Sequence, residues 1–103
     1  MRSDHMNEPV EHYRVTLEEV EAIIDEAIKQ GSFEYAVLCK RKVVVVEYEL
    51  RNGYTIPGRS AMIDPKGFNL DEGLRRCRLA AIQKLHSYMG FMRQEELYKA
   101  GLL

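Results

Sequence analysis

The chain has 103 residues, with 15 Lys plus Arg against 16 Asp plus Glu and a formal net charge of −1. So even a balance leaves no global footprint of the kind a duplex-DNA binder needs, and nucleic acid is not the expected partner. Cys39 and Cys77 stand far apart without a short-spacing cysteine beside either, which argues against a disulfide framework or a zinc knuckle.

The first six residues, MRSDHM, read as an expression remnant and are set aside. Residues 7–103 then fit a single domain, and a chain this short buries only about 60–68% of its extended surface. A deep enclosed pocket is hard to build within one such unit, whereas a cleft at a subunit boundary is easier. No apolar run approaches the roughly 18–20 residues of a membrane span, so a membrane is not expected, and a reducing cytoplasm is the expected compartment.

Met6 to Arg14 is polar and unpatterned. The first element opens at Thr16-Leu17-Glu18-Glu19, a capping box, with Val15 and Val20 placed as a hydrophobic staple. Leu17, Val20, Ile23, Ile24, Ala27 and Ile28 then recur at helical spacing, and Gly31 can close the helix. A helix over about 17–30 follows.

From Phe33 the pattern turns β-rich: FEYAVLCK, a basic KRK break, VVVVEYELR, and then Asn52-Gly53. Asn-Gly between apolar runs predicts a two-residue type I′ hairpin, which sets Arg51 opposite Tyr54. Val44, Val46, Tyr48 and Leu50 share one strand face and form the better core face. Pro57 assigns the returning strand, Tyr54 to about Ile63, to an edge, with a bulge expected at Pro57-Gly58. Asp64-Pro65-Lys66-Gly67 reads as a turn and Asn69-Leu70-Asp71-Glu72 as a second helix start. Leu70, Leu74, Cys77, Ala81, Leu85 and Tyr88 make the stripe of a helix over about 70–89. Gly90 is expected to break it, with a short last helix over Phe91 to Lys99. The fold class is α+β: an N-terminal helix, a three-stranded antiparallel β-meander and two C-terminal helices.

The glycines between Asn52 and Asn69 match neither a Walker loop nor a dinucleotide fingerprint. Ser60, Cys39, Cys77, His12 and His86 offer nucleophiles and bases without a motif that joins them, so neither an enzyme nor a cofactor is expected. Arg75 and Arg78 share a helix face with Ile82, clear of much of the apolar stripe. Two guanidiniums there can converge on a phosphate-bearing ligand near a helix N-terminus, or pair with Asp71 and Glu72 as a solvated basic face.

Three stretches carry a resemblance: Val15-Thr16-Leu17-Glu18-Glu19-Val20-Glu21, then Asn52 through Ala61 with Pro65, then Gly73 and the helix segment Ala80 to Leu85. Together they resemble a family of small tailed-phage proteins labelled after gene forty-nine and gene sixty-six of two founding phages. The most specific part is an Asn-Gly-aromatic turn, then Gly-x-Ser-Ala, then Pro before a Gly-headed helix. The same region looks similar to phage proteins that defeat the Thoeris defence by sequestering its cyclic ADP-ribose signal.

That resemblance implies a homo-oligomeric sponge that holds a cyclic nucleotide, uncleaved, between subunits in the infected bacterial cell. It places the adenine-stacking aromatic on Tyr54, where Phe is usual, the polar position on Asp64, where Asn is usual, and the phosphate cations on Arg75 or Arg78. Arg59 stands where an acidic residue often precedes Ser-Ala, and an Arg59–Asp64 pair compensates in part; His86 replaces a usual Trp. The alternatives from other classes are an inhibitor that blocks a host or defence enzyme through its charged helix face, with no small-molecule ligand, and an accessory or structural phage protein.

Overall fold

A computed structural model describes residues 14–103; the MRSDHM leader, most of the polar segment after it and His12 lie outside the described residues. Helix α1 spans Leu17–Lys29, strands β1, β2 and β3 span Phe33–Leu38, Val43–Glu49 and Thr55–Ala61, and helix α2 spans Leu70–Lys99. A single 3-10 turn at Pro65–Gly67 precedes α2.

Local chemistry explains where each element starts. In α1 the capping box closes in both directions: Glu19 N donates to Thr16 Oγ1 at 3.2 Å and Thr16 N donates to Glu19 Oε2 at 3.0 Å. At α2, Glu72 N donates to Asn69 Oδ1 at 3.0 Å. These side-chain acceptors satisfy N–H groups that have no partner within a first helical turn.

The strands form an antiparallel sheet in the order β1-β2-β3. Both helices lie against one of its faces. Val44, Val46, Tyr48 and Leu50 from β2 and Ile56 from β3 meet Val20, Ile24 and Ala27 of α1 and Cys77, Ala81, Ile82 and Leu85 of α2 in the core. Burial pushes the Tyr48 phenol up to about 12 and raises the Cys77 thiol as well. The thiol of Cys77 donates to Val44 O at 3.3 Å.

Three sequence expectations give way. The hairpin after β2 has a three-residue loop, not two: Leu50 N donates to Tyr54 O at 2.8 Å and Gly53 N to Leu50 O at 2.9 Å, with Gly53 at φ +88°. Leu50 therefore stands opposite Tyr54, and Arg51 lies within the loop. This register sets Tyr48 opposite Ile56, whereas the two-residue turn would have carried Ile56 to the solvent face. One residue of slip exchanges the faces of a strand, so burial of Ile56 decides the loop length.

The second correction concerns Gly58. Pairing of β2 with β3 runs unbroken from Val43↔Ala61 to Glu49↔Thr55, with no bulge at Pro57-Gly58. Gly58 is instead where α2 rests on the sheet: a Cβ there would collide with the backbone carbonyl of Cys77. A Cβ at Gly73 would similarly meet Val44 Cγ2 at 2.9 Å.

Third, Gly90 does not break the helix; α2 runs through it as one element of 30 residues. An internal glycine costs only about 1 kcal/mol against alanine, and tertiary anchors lie beyond it. Arg93 donates to Glu19 Oε1 at 2.7 Å and to Arg14 O at 3.2 Å, and Leu97 is buried. The predicted pair of C-terminal helices is therefore one.

Candidate functional site

The three-residue loop puts Tyr54 on the helix side of the sheet, at the end where the hairpin reaches α2. There its ring meets Tyr88 edge to face, with centroids 6.0 Å apart and planes at 87°. The Tyr88 hydroxyl beside it raises the Tyr54 phenol above its ordinary value. Around the two rings opens a groove of about 490 Å³. Leu50 and Leu85 form its floor, Ile23 of α1 and Met89 line it, and Phe91 and Met92 extend it along α2. Arg51 and Asn52 of the hairpin supply its polar rim. Its size falls in the range of small-molecule sites, and it joins apolar walls to a few polar groups.

The other residues singled out from sequence lie elsewhere. Arg75 and Arg78 share a second, smaller groove of about 310 Å³ between α2 and the sheet, with Ile28, Phe33, Tyr48 and Leu74. Both guanidiniums are engaged by carboxylates of the same chain. Arg78 donates to Asp25 of α1 through Nε at 2.7 Å and Nη2 at 2.9 Å. The face it shares with Ile82, expected to stand clear, is thus covered by α1, and Ile82 is buried.

Arg75 donates to both oxygens of Glu72, at 3.0 and 2.6 Å, and Arg76 Nε adds a third bond at 2.9 Å. Together they hold the Glu72 carboxyl at about 2, Arg75 first and Arg76 next. Asp71, expected as a second acceptor, forms no ion pair with them. The Asp25 carboxyl is likewise lowered, chiefly by its hydrogen bonds from Arg78.

Arg59 lies opposite Val45, on the sheet face away from the helices. Asp64 caps the 3-10 turn, accepting from Lys66 N at 3.0 Å through Oδ1. Arg59 and Asp64 form no ion pair with each other. Within one chain, then, Arg75 and Arg78 come together while Tyr54, Arg59 and Asp64 each stand apart. The step of ten residues from Arg78 to Tyr88 corresponds to about 15 Å along the helix axis.

Sequence reasoning missed Tyr88, Phe91, Met92 and Arg51 as groove residues. Tyr88 ends the apolar stripe of α2, so its side of the helix was readable. Its position at an open end of the core depends on where the hairpin stops. Among the described residues no group of three or more His, Cys, Asp or Glu could hold a metal ion, and no helix is long and apolar enough to cross a membrane.

These features define a small α+β protein in which a helix-covered meander opens an aromatic groove at its hairpin end. The chain belongs to the phage protein (N4 Gp49/phage Sf6 gene 66) family, which matches residues 15–97. Among curated proteins and among solved structures nothing matches it.

Proposed function

We propose that this phage protein is an anti-defence sponge: it binds a cyclic nucleotide immune signal of the cyclic ADP-ribose class and holds it without cleavage. The observation that carries the reading is the Tyr54–Tyr88 groove of about 490 Å³. Tyr54, the position to which the resemblance assigns adenine stacking, lines the larger apolar groove, and Arg51 and Asn52 offer donors at its rim. Such a lining supplies stacking faces and hydrogen bonds, the groups that retain a nucleotide.

In this reading the phosphates are met by Arg75 and Arg78 of a second copy, because about 15 Å of helix separates Arg78 from Tyr88 within one chain. The sponge is therefore a homo-oligomer, and ligand phosphates compete with Glu72 and Asp25 for those guanidiniums. Arg59 and Asp64 contribute from the sheet edge and the following turn of the neighbouring subunit. The test is titration of cyclic ADP-ribose isomers into the intact protein and its Tyr54→Phe and Tyr54→Ala variants. Retained affinity in Tyr54→Phe with loss in Tyr54→Ala supports the reading; equal affinity in all three opposes it.

A second reading, a protein-interaction inhibitor without a small-molecule ligand, is favoured by the exposed apolar side chains of α2 beyond the sheet. Phe91, Met92 and Tyr98 are 67%, 64% and 70% exposed. In that case substituting Phe91 and Met92 abolishes anti-defence activity while no isomer binds.

A further inference from the structure

We infer that β1 is the seam of a two-fold dimer, in which the β1 strands of two copies pair antiparallel about Tyr35 and merge the two sheets into one. This interface does not depend on what the aromatic groove binds.

The phase of the ladder supports it. Glu49 N donates to Ser32 O at 2.8 Å, and antiparallel pairs alternate. Ser32, Glu34, Ala36 and Leu38 therefore turn their main-chain groups toward β2, and Phe33, Tyr35 and Val37 turn theirs outward. The β1 edge carries neither proline nor bulge over its length, two of the devices that block strand addition. The opposite edge is different. Met62 N donates to Lys42 O and Leu50 N to Tyr54 O, so on β3 the outward positions include Pro57, which removes a donor from that edge.

Phe33 packs against Tyr48, but the next two side chains on that face of β1 are left open. Tyr35 and Val37 stand opposite Val46 and Val44 on the helix side, yet they are 49% and 39% exposed, because α1 and α2 lie over β2 and β3. Antiparallel pairing keeps residues of one face opposite each other. A register centred on Tyr35 matches Tyr35 with Tyr35 of the second copy and Phe33 with its Val37. All three outward residues then exchange main-chain bonds, about six in all, and the exposed apolar side chains of both copies adjoin.

Charge selects a second copy as the occupant. Glu34, Glu47 and Glu49 line a groove of about 600 Å³ at the start of β1, and Glu34 is directly opposite Glu47, a like-charge pair that is unfavourable alone. The turn at the other end of β1 holds Lys40, Arg41 and Lys42. Two-fold antiparallel pairing brings the basic turn of each copy toward the acidic end of the other, the self-complementary arrangement that an isologous interface needs.

The experiment is sedimentation equilibrium of the intact, ligand-free protein across the micromolar range, with three variants. The unmodified chain is expected to sediment as a dimer. Tyr35→Pro, which removes an outward N–H and no hydrogen bond to β2, is expected to sediment as a monomer with an unchanged far-ultraviolet spectrum. In a Cys39→Ser background, Tyr35→Cys is expected to form a disulfide-linked dimer under mild oxidation, since directly opposed residues lie about 5.5 Å apart at Cα, and Val37→Cys is not. A monomeric unmodified chain, or equal cross-linking at 35 and 37, overturns the proposal. So does a folded Tyr35→Pro that remains dimeric. Because no ligand is present, these outcomes are read separately from any failure of the sponge reading.

Discussion

Tyr54 and Tyr88 meet edge to face at the open end of the core, one carried by the hairpin and the other by α2. Each ring is about half exposed, so the pair is a surface feature that closes the hairpin onto the helix while leaving ring faces free. Tyr54→Ala is expected to preserve the fold, since the ring lies outside the buried cluster. In the sponge reading it costs roughly 5- to 150-fold in affinity for a cyclic ADP-ribose isomer, because stacking on a base is worth roughly 1–3 kcal/mol. Calorimetric titration of the variant beside its thermal melt checks both halves.

Gly58 and Gly90 are expected to respond oppositely to alanine. At Gly58 the added carbon collides with the Cys77 carbonyl, backbone against backbone, and α2 must lift from β3. A loss of about 3 kcal/mol is expected, the upper end for overpacking. At Gly90 nothing lies within 4 Å of an added Cβ, and Gly90→Ala is expected to add about 0.5–1 kcal/mol through helix propensity. Urea unfolding of the two variants gives both signs.

Arg78 has a structural partner whatever it does for a ligand. Its two bonds to Asp25 tie α2 to α1 through side chains that are partly open to solvent. A double-mutant cycle of Arg78→Ala with Asp25→Ala is expected to give a coupling of about 1 kcal/mol or less. Arg75→Ala, which removes a largely exposed partner of Glu72, is expected to lower the melting temperature only slightly, since Arg76 keeps its bond to the same carboxylate.

Acid is expected to loosen the helices. The carboxyls of Glu72, Asp25 and Glu19 all sit below their ordinary values in the folded chain. Arg75 is the first cause at Glu72, Arg78 at Asp25, and the Thr16 backbone N–H followed by Arg93 at Glu19. A depressed folded pKa contributes stability that is complete above the unfolded value and disappears as pH falls through the folded one. Stability should therefore be flat above about pH 5 and decline toward about pH 2. In Asp25→Asn the decline should be shallower, as urea midpoints measured against pH would show.

Much of the fold was readable from the chain because local signals agreed with the core pattern. Thr16 and Glu19 gave the start of α1, Asn69 that of α2, and the alternation from Val44 to Leu50 gave the buried sheet face. The failures arose where tertiary packing outweighed a local preference. Asn52-Gly53 favours a two-residue turn, but burying Ile56 requires the longer loop. Gly90 favours a break, but Arg93, tied to Glu19 of α1, holds the helix beyond it. Pro57-Gly58 in a strand pattern predicts a bulge, because nothing in that pattern reports a helix backbone lying against Gly58. At the site, Tyr54 was named from the resemblance, whereas Tyr88 became visible only once the hairpin register set the two rings together.

Isothermal calorimetry of the purified protein against cyclic ADP-ribose and its ribose-linked isomers, followed by heat release and mass analysis of the bound molecule, tests the sponge reading most directly. The account predicts saturable, tight binding of at least one isomer and recovery of that isomer intact. Absence of binding to every isomer, or release of a cleaved product, would contradict it.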